Sequence, residues 1–258
     1  MRLVVHPALG DRVHHRRHTA REDQLRLYAL RPWLPAGLEA DGNFDLQVEA
    51  DKAADRNPRI EARASAGAMT LTALAAGEPL VVALSGASAS LRTAGAGIAL
   101  DWRLLLTGGT SFNGEALLEQ GSGALSGTMA LRDLDLAPFA KRAPGVVAAA
   151  GTLAGDVRLE GSLREPHASG VLSLRDGMLS HEQLPHPIED VVLDVAFTGA
   201  EGRLAGHFGT AAGAGSLEGT ARFAGAGWSA DLGLKSAGLQ LEPVRHSTLT
   251  VVPDLRVQ

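Results

Sequence analysis

The chain contains no cysteine. This excludes a disulfide framework, a thiolate zinc site, an iron–sulfur cluster and a cysteine nucleophile. It leaves the compartment open, since a periplasmic protein need not use disulfides. Aromatic residues are scarce at 4%, and only three of the 24 basic residues are lysines (Lys52, Lys141 and Lys235). The net charge is −5. Nucleic-acid surfaces combine clustered cations with stacking rings, so this composition argues against nucleic acid as a partner. It argues equally against a carbohydrate-stacking platform and against an outer-membrane barrel with aromatic girdles. No run approaches the ~18 apolar residues of a membrane-spanning helix. Met1–Asp23 has no apolar signal core; at its centre stands His14-His15-Arg16-Arg17-His18.

What is abundant is glycine, 31 of 258 residues, against an average near 7%. The glycines do not cluster as in a linker. They fall at strand-like intervals, between runs that alternate apolar and polar residues. Phe44, Leu46, Val48 and Ala50 alternate with Asp45, Gln47 and Glu49. Ile98, Leu100, Trp102, Leu104 and Leu106 make a longer run, and Trp228, Ala230, Leu232 and Leu234 a late one. Period two over five to ten residues is the signature of a half-buried strand. Roughly fourteen to sixteen such runs, joined by short turn-like segments, predict an all-β, mainly antiparallel meander. Leu134–Arg142 breaks the period. There Leu136, Phe139 and Ala140 take helical spacing, Pro138 suits a first helical turn, and Pro144-Gly145 stops it. The expected organisation is an irregular basic segment (1–22), a β-repeat region (23–133), a short helix and linker (134–150), and a second β-repeat region (151–258).

The sequence offers little to catalysis. His181 and His186 stand five apart, with His186 between Pro185 and Pro187, whereas a helical zinc pair needs a spacing of four. The Gly-x-Gly pairs at 95/97, 121/123 and 213/215 lack the third glycine of a dinucleotide loop and open strands, so a turn or a close backbone approach is expected there. There is no Gly-x-Ser-x-Gly elbow. Glu189 and Asp190 are adjacent and point to opposite faces of a strand. No catalytic residue, metal site or cofactor is expected. The five arginines of Met1–Glu22, against Asp11 and Glu22, leave a local excess of +3, a weak attraction at most for anionic headgroups.

The apolar faces are dominated by small and aliphatic residues. A sheet with one greasy face must cover it, by a second sheet or by curling into a groove. The many Ala and Gly positions favour an underfilled groove. Weak internal repetition supports a repeat architecture. Gly121-Ser122-Gly123-Ala124-Leu125-Ser126-Gly127 matches Gly213-Ala214-Gly215-Ser216-Leu217-Glu218-Gly219, and Gly151-Thr152-Leu153-Ala154-Gly155 repeats the latter part.

A series of segments carries a family resemblance. Leu131-Arg132-Asp133-Leu134-Asp135-Leu136-Ala137-Pro138-Phe139 is followed by Gly151–Leu163, Pro166 and Gly170-Val171-Leu172-Ser173-Leu174-Arg175-Asp176-Gly177. Ile188–Val195 and Gly213–Gly219 complete the order. This order resembles the TamB family, the large subunit of the bacterial translocation and assembly module, within the AsmA-like group of bridge-like lipid-transfer proteins. The resemblance extends over nearly the whole chain, is strongest from about residue 100 onward, and looks like the family's C-terminal-type repeat region. It implies a β-taco groove lined with aliphatic side chains, in a protein anchored in the inner membrane by an N-terminal helix and spanning the periplasm. It also implies phospholipid transport toward the outer membrane, outer-membrane protein assembly, or both, with a partner of the TamA/Omp85 type. The chain departs from the family pattern in having no N-terminal anchor and in stopping at Leu249–Gln258. An internal fragment or a truncated gene product, whose cut edge would invite self-association, is therefore expected.

On this reading the acyl chains of phospholipids are the cargo. The expected lining is Leu125, Met129, Leu153, Val157, Leu159, Leu172, Leu174, Val191, Leu193, Val195, Phe197, Leu217 and Phe223, with ordinary core packing as the alternative at each. Val191 to Phe197 share one face only if no bulge intervenes. The competing functions are a module capturing strands by β-augmentation, a secreted β-repeat passenger or adhesin, and a carbohydrate-cleaving β-helix. The last would need clustered carboxylates and stacking aromatics that are missing.

Overall fold

A computed structural model describes residues 6–7, 16–26, 37–52, 59–73, 79–142, 144–162, 165–224, 227–244, 247–251 and 254–257. The chain divides into two compact units, Met1–Gly127 and Thr128–Gln258. The first holds β1 (His6–Pro7), β2 (Arg16–Arg26), β3 (Leu38–Lys52), β4 (Arg59–Ala73), β5 (Leu80–Ala94), β6 (Gly97–Leu106) and β7 (Ser111–Glu119). Each pairs antiparallel with the next. The dividing point falls inside β8 (Leu125–Asp135), a few residues before the 133/134 boundary expected from the break in period.

The second unit continues with β9 (Val146–Gly161), β10 (Pro166–His181), β11 (Ile188–Gly199), β12 (Glu201–Thr210), β13 (Gly213–Ala224) and β14 (Gly227–Ser236). β15 (Leu239–Val244) and β16 (Ser247–Val251) pair only with each other among the described residues. β17 (Asp254–Val257) then returns to pair with β14. From β9 to β14 every consecutive pair is antiparallel. The fold is thus all-β and antiparallel, as the alternation predicts, and among the described residues neither unit closes into a barrel.

Two expectations need correction. The basic N-terminal stretch is not wholly irregular. Arg16–Arg26 is strand β2, whose Ala20 faces Val48 and whose Glu22 faces Leu46 of β3. A row of backbone donors and acceptors along β3 holds it there, which charge counting along the sequence does not reveal. The helix is also shorter and tighter than expected. Leu134 and Asp135 finish β8, and a 3-10 helix occupies Ala137–Arg142. The Asp135 carboxylate accepts the Ala137 N–H at 2.9 Å, and the Phe139 N–H donates to the Leu136 carbonyl at 3.0 Å. Six residues leave little room for a longer ladder, since runs of this kind stay short.

Neither unit buries much. Among the described residues the buried apolar side chains are Phe44, Leu84, Ala140 and Phe208, and no side chain is fully buried. A two-layer sandwich would enclose a core of interdigitated side chains. Within each unit the described strands form a layer held chiefly by backbone ladders, with an apolar face that is half-covered rather than packed.

Candidate functional site

Directly paired residues of adjacent strands point to the same side of a sheet, so the register shows which residues share a face. In the second unit Leu153, Leu174, Leu193, Gly206, Leu217 and Leu234 stand opposite one another across β9 to β14. The neighbouring row is Gly155, Leu172, Val195, Leu204, Gly219 and Leu232. A third runs Val157, Gly170, Phe197, Gly202, Ala221 and Ala230. Leu159 opens a fourth, opposite Ala168. One face of this sheet is therefore an uninterrupted apolar floor six strands wide.

Nine of the thirteen expected lining residues fall in these rows. Leu153, Val157, Leu159, Leu172, Leu174, Leu193, Val195, Phe197 and Leu217 all belong to these rows and are all half-buried. Leu125 and Met129 are half-buried on β8, at the alternating positions that Leu131 shares. The Arg132 side chain reaches Asp156, which is exposed and flanked along β9 by the floor residues Gly155 and Val157, so Leu131, Met129 and Leu125 take the apolar side. Val191 is the qualified case. The register shifts between Glu189 and Val192, and Val191 stands opposite Gly177 beside that irregularity. Phe223 pairs with Trp228 by backbone, but its side chain lies outside the described residues.

Sequence reasoning missed part of the surface. Leu204, Leu232 and Leu234 complete the rows, and the first unit carries an equivalent face. There Leu46, Ala64, Ala89, Trp102 and Gly114 form one row, and Phe44, Ala66, Ala87, Leu104 and Phe112 the next. The Trp102 and Phe112 rings lie 6.1 Å apart and tilted by 48°. The same period-two signal was present in all of these strands.

The glycines explain how a single layer covers itself. A Cβ on Gly155 would stand 2.9 Å from Leu172 Cδ2, and one on Gly219 would stand 2.5 Å from Leu232 Cδ2. At Gly206 it would collide with Leu193, and at Gly215 with the Phe208 ring. In each case the intruding side chain belongs to the residue directly opposite. The large side chain lies down over the glycine of the next strand. This shields its neighbour's backbone and keeps the floor low, with no second layer needed. Exposure remains: Leu100 is 37% and Leu232 39% accessible on this side.

The opposite face is polar and self-satisfied. Arg132 pairs with Asp156 at 2.6 Å, Arg175 with Asp194 at 2.7 Å and Arg222 with Glu201 at 2.9 Å. Ser173 Oγ also donates to Asp194, which with Arg175 holds that carboxyl below its ordinary value of 3.8. A hollow of about 510 Å³ on the polar side of β3 to β6 is edged by Asp45, Arg63, Ser88, Asp101 and Arg103. Its charges are partly spent on their neighbours, Arg63 on Glu61 and Asp101 on Ser90. His181 ends β10 with its Nδ1 accepting the Gln183 N–H at 3.1 Å, a turn contact in the loop expected there. Among the described residues no cluster of His, Asp or Glu is arranged to hold a metal ion, and no helix is long and apolar enough to cross a membrane.

The all-β antiparallel sheet agrees with the fold class that the motif order implied. A family model described as "TamB, N-terminal domain" matches residues 19–174. The chain belongs to the TamB family. The match spans both units and lies on the family's N-terminal domain, whereas the motif order resembled the C-terminal-type region. No solved structure matches the chain. The TamB family is a family of cell-envelope proteins.

Proposed function

We propose that the apolar floor carries the acyl chains of phospholipids, and that the chain is a non-enzymatic part of a conduit between the inner and outer membranes. The observation that carries this reading is the combination of three unbroken apolar rows across β9 to β14 with the near-absence of buried side chains among the described residues. Exposed apolar surface on this scale marks a binding face. Each methylene laid on it gains about 0.8 kcal/mol, and because neighbouring rows are chemically alike, a chain can move along them with little change in energy. Headgroups stay at the wet edge. In this reading the chain works in the periplasm, as part of an inner-membrane-anchored protein, with an outer-membrane partner of the TamA/Omp85 type.

The test is native mass spectrometry with lipid extraction on detergent-free protein expressed into a bacterial periplasm. Co-purified phospholipid that is lost when Val157 or Leu172 becomes aspartate supports the conduit. Folded protein free of lipid overturns it and shifts weight to strand capture.

A further inference from the structure

The backbone of the second unit departs from regular strand geometry at neighbouring places in four successive strands. Asp133 in β8, Asp176 in β10 and Asp190 in β11 have φ of 55°, 53° and 51°, and Gly151 in β9 has φ of 131°. The register shifts at the same level: between Arg175 and Met178 where β10 meets β9, between Leu174 and Gly177 where it meets β11, and between Glu189 and Val192 where β11 meets β12. Gly151 lies against this line, since a Cβ there would stand 2.9 Å from Leu174 Cδ1 and 3.0 Å from Gly177 Cα. An extra residue in a strand bends it and increases its twist. Bulges side by side in adjacent strands bend the sheet as a whole. Non-glycine residues at positive φ are uncommon, and aspartate is among the few that tolerate it.

Two of the four departures share one local device. Leu131-Arg132-Asp133 and Leu174-Arg175-Asp176 have the same sequence and the same contacts. Arg132 Nη1 donates to the carbonyl of its own neighbour Leu131 at 3.0 Å and to Gly155 across the strand at 2.9 Å, while Nη2 donates to Asp156 at 2.6 Å. Arg175 Nη1 donates to Leu174 at 2.9 Å and to Leu193 at 3.3 Å, while Nη2 donates to Asp194 at 2.7 Å. In each case one guanidinium ties the residue two before a positive-φ aspartate to two consecutive residues of the next strand. Its planar fork of donors fits it to such bridging, which a lysine would not match. Arg222 makes an ion pair with Glu201 on the same unit, but neither residue adjoins a positive-φ aspartate.

We propose that Arg132 and Arg175 are clamps that fix a crease across β8 to β11, and that this crease sets the curvature of the apolar face. Both are positioning residues on the polar side, about half exposed, acting on a face they do not touch. The inference does not depend on what that face binds.

The absence of cysteine makes spin labelling clean. Labels at Ser169→Cys and Ser180→Cys bracket Asp176 on β10 and would lie about 36 Å apart if the strand ran straight at ~3.3 Å per residue. Pulsed electron resonance on the full chain is expected to show a shorter separation. In Arg132→Gln/Arg175→Gln it lengthens by several ångström and broadens, while Arg222→Gln leaves it unchanged. Asp176→Gly, which keeps access to positive φ, retains the parent distance, and Asp176→Val does not. A parent distance equal to the straight-strand value overturns the proposal. So does a clamp variant whose distribution superimposes on that of the parent. Should Asp176→Val fail to fold, the comparison of the arginine variants with Asp176→Gly still decides.

Discussion

Leu172 and Val171 are chain neighbours on opposite sides of β10, and changing each to aspartate separates a binding face from a packed core. Leu172 is half-buried on the apolar side, with its side chain laid over Gly155. Val171 is 44% exposed on the polar side. Burying a leucine fully contributes about 1.5–3 kcal/mol, so a half-covered one loses roughly 1 kcal/mol on replacement. Partial desolvation of the new carboxylate brings the expected cost to about 2 kcal/mol. In a closed sandwich the same change would place an unpaired charge in a dry interior, a class of substitution that costs more than about 4 kcal/mol. Val171→Asp is expected to stay within about 0.5 kcal/mol of the parent. For lipid, a carboxylate in the floor displaces two or three methylenes, about 2 kcal/mol at ~0.8 each, which is roughly a 30-fold loss of affinity. Urea unfolding followed by circular dichroism gives the stabilities. Titration of a fluorescent phospholipid gives the affinities. The reasoning is refuted if Leu172→Asp costs more than about 4 kcal/mol, or if both variants bind lipid equally.

Further predictions concern the layer itself. Gly155→Ala is expected to destabilise by about 1–3 kcal/mol, because its Cβ would strike the Val171 carbonyl and crowd Leu172. Gly67→Ala meets nothing within 4 Å, and in the same urea titration it should be neutral or stabilising by about 0.4–1 kcal/mol through the unfolded chain. Asp194 has a folded pKa depressed below 3.8 by the Ser173 and Arg175 hydrogen bonds. Its contribution is therefore complete above the unfolded value and disappears as pH falls through the depressed one. Asp194→Asn should lack that part of the acid-induced loss of stability below about pH 4, read from thermal melts across pH; identical profiles would remove the carboxylate from the account.

Much of the fold is legible in the residues themselves. Phe44 to Ala50, Ile98 to Leu106 and Leu153 to Leu159 announce strands by period two, and that period alone sorts each strand's residues onto two faces. The low aromatic content and the many glycines pointed to an open, aliphatic surface, and the motif order pointed to the family. What the period cannot specify is which residue stands opposite which. Leu172 over Gly155 and Leu193 over Gly206 are facts of register, set by turn lengths and by backbone hydrogen bonding between neighbouring strands. The same holds for β2, a charged stretch made a strand by the edge of β3, and for β17, which bypasses a hairpin to reach β14. Leu131-Arg132-Asp133 and Leu174-Arg175-Asp176 were visible as matching tripeptides. That each ends in an aspartate at positive φ, with its arginine bonded to the next strand, followed only once that strand's carbonyls were in place.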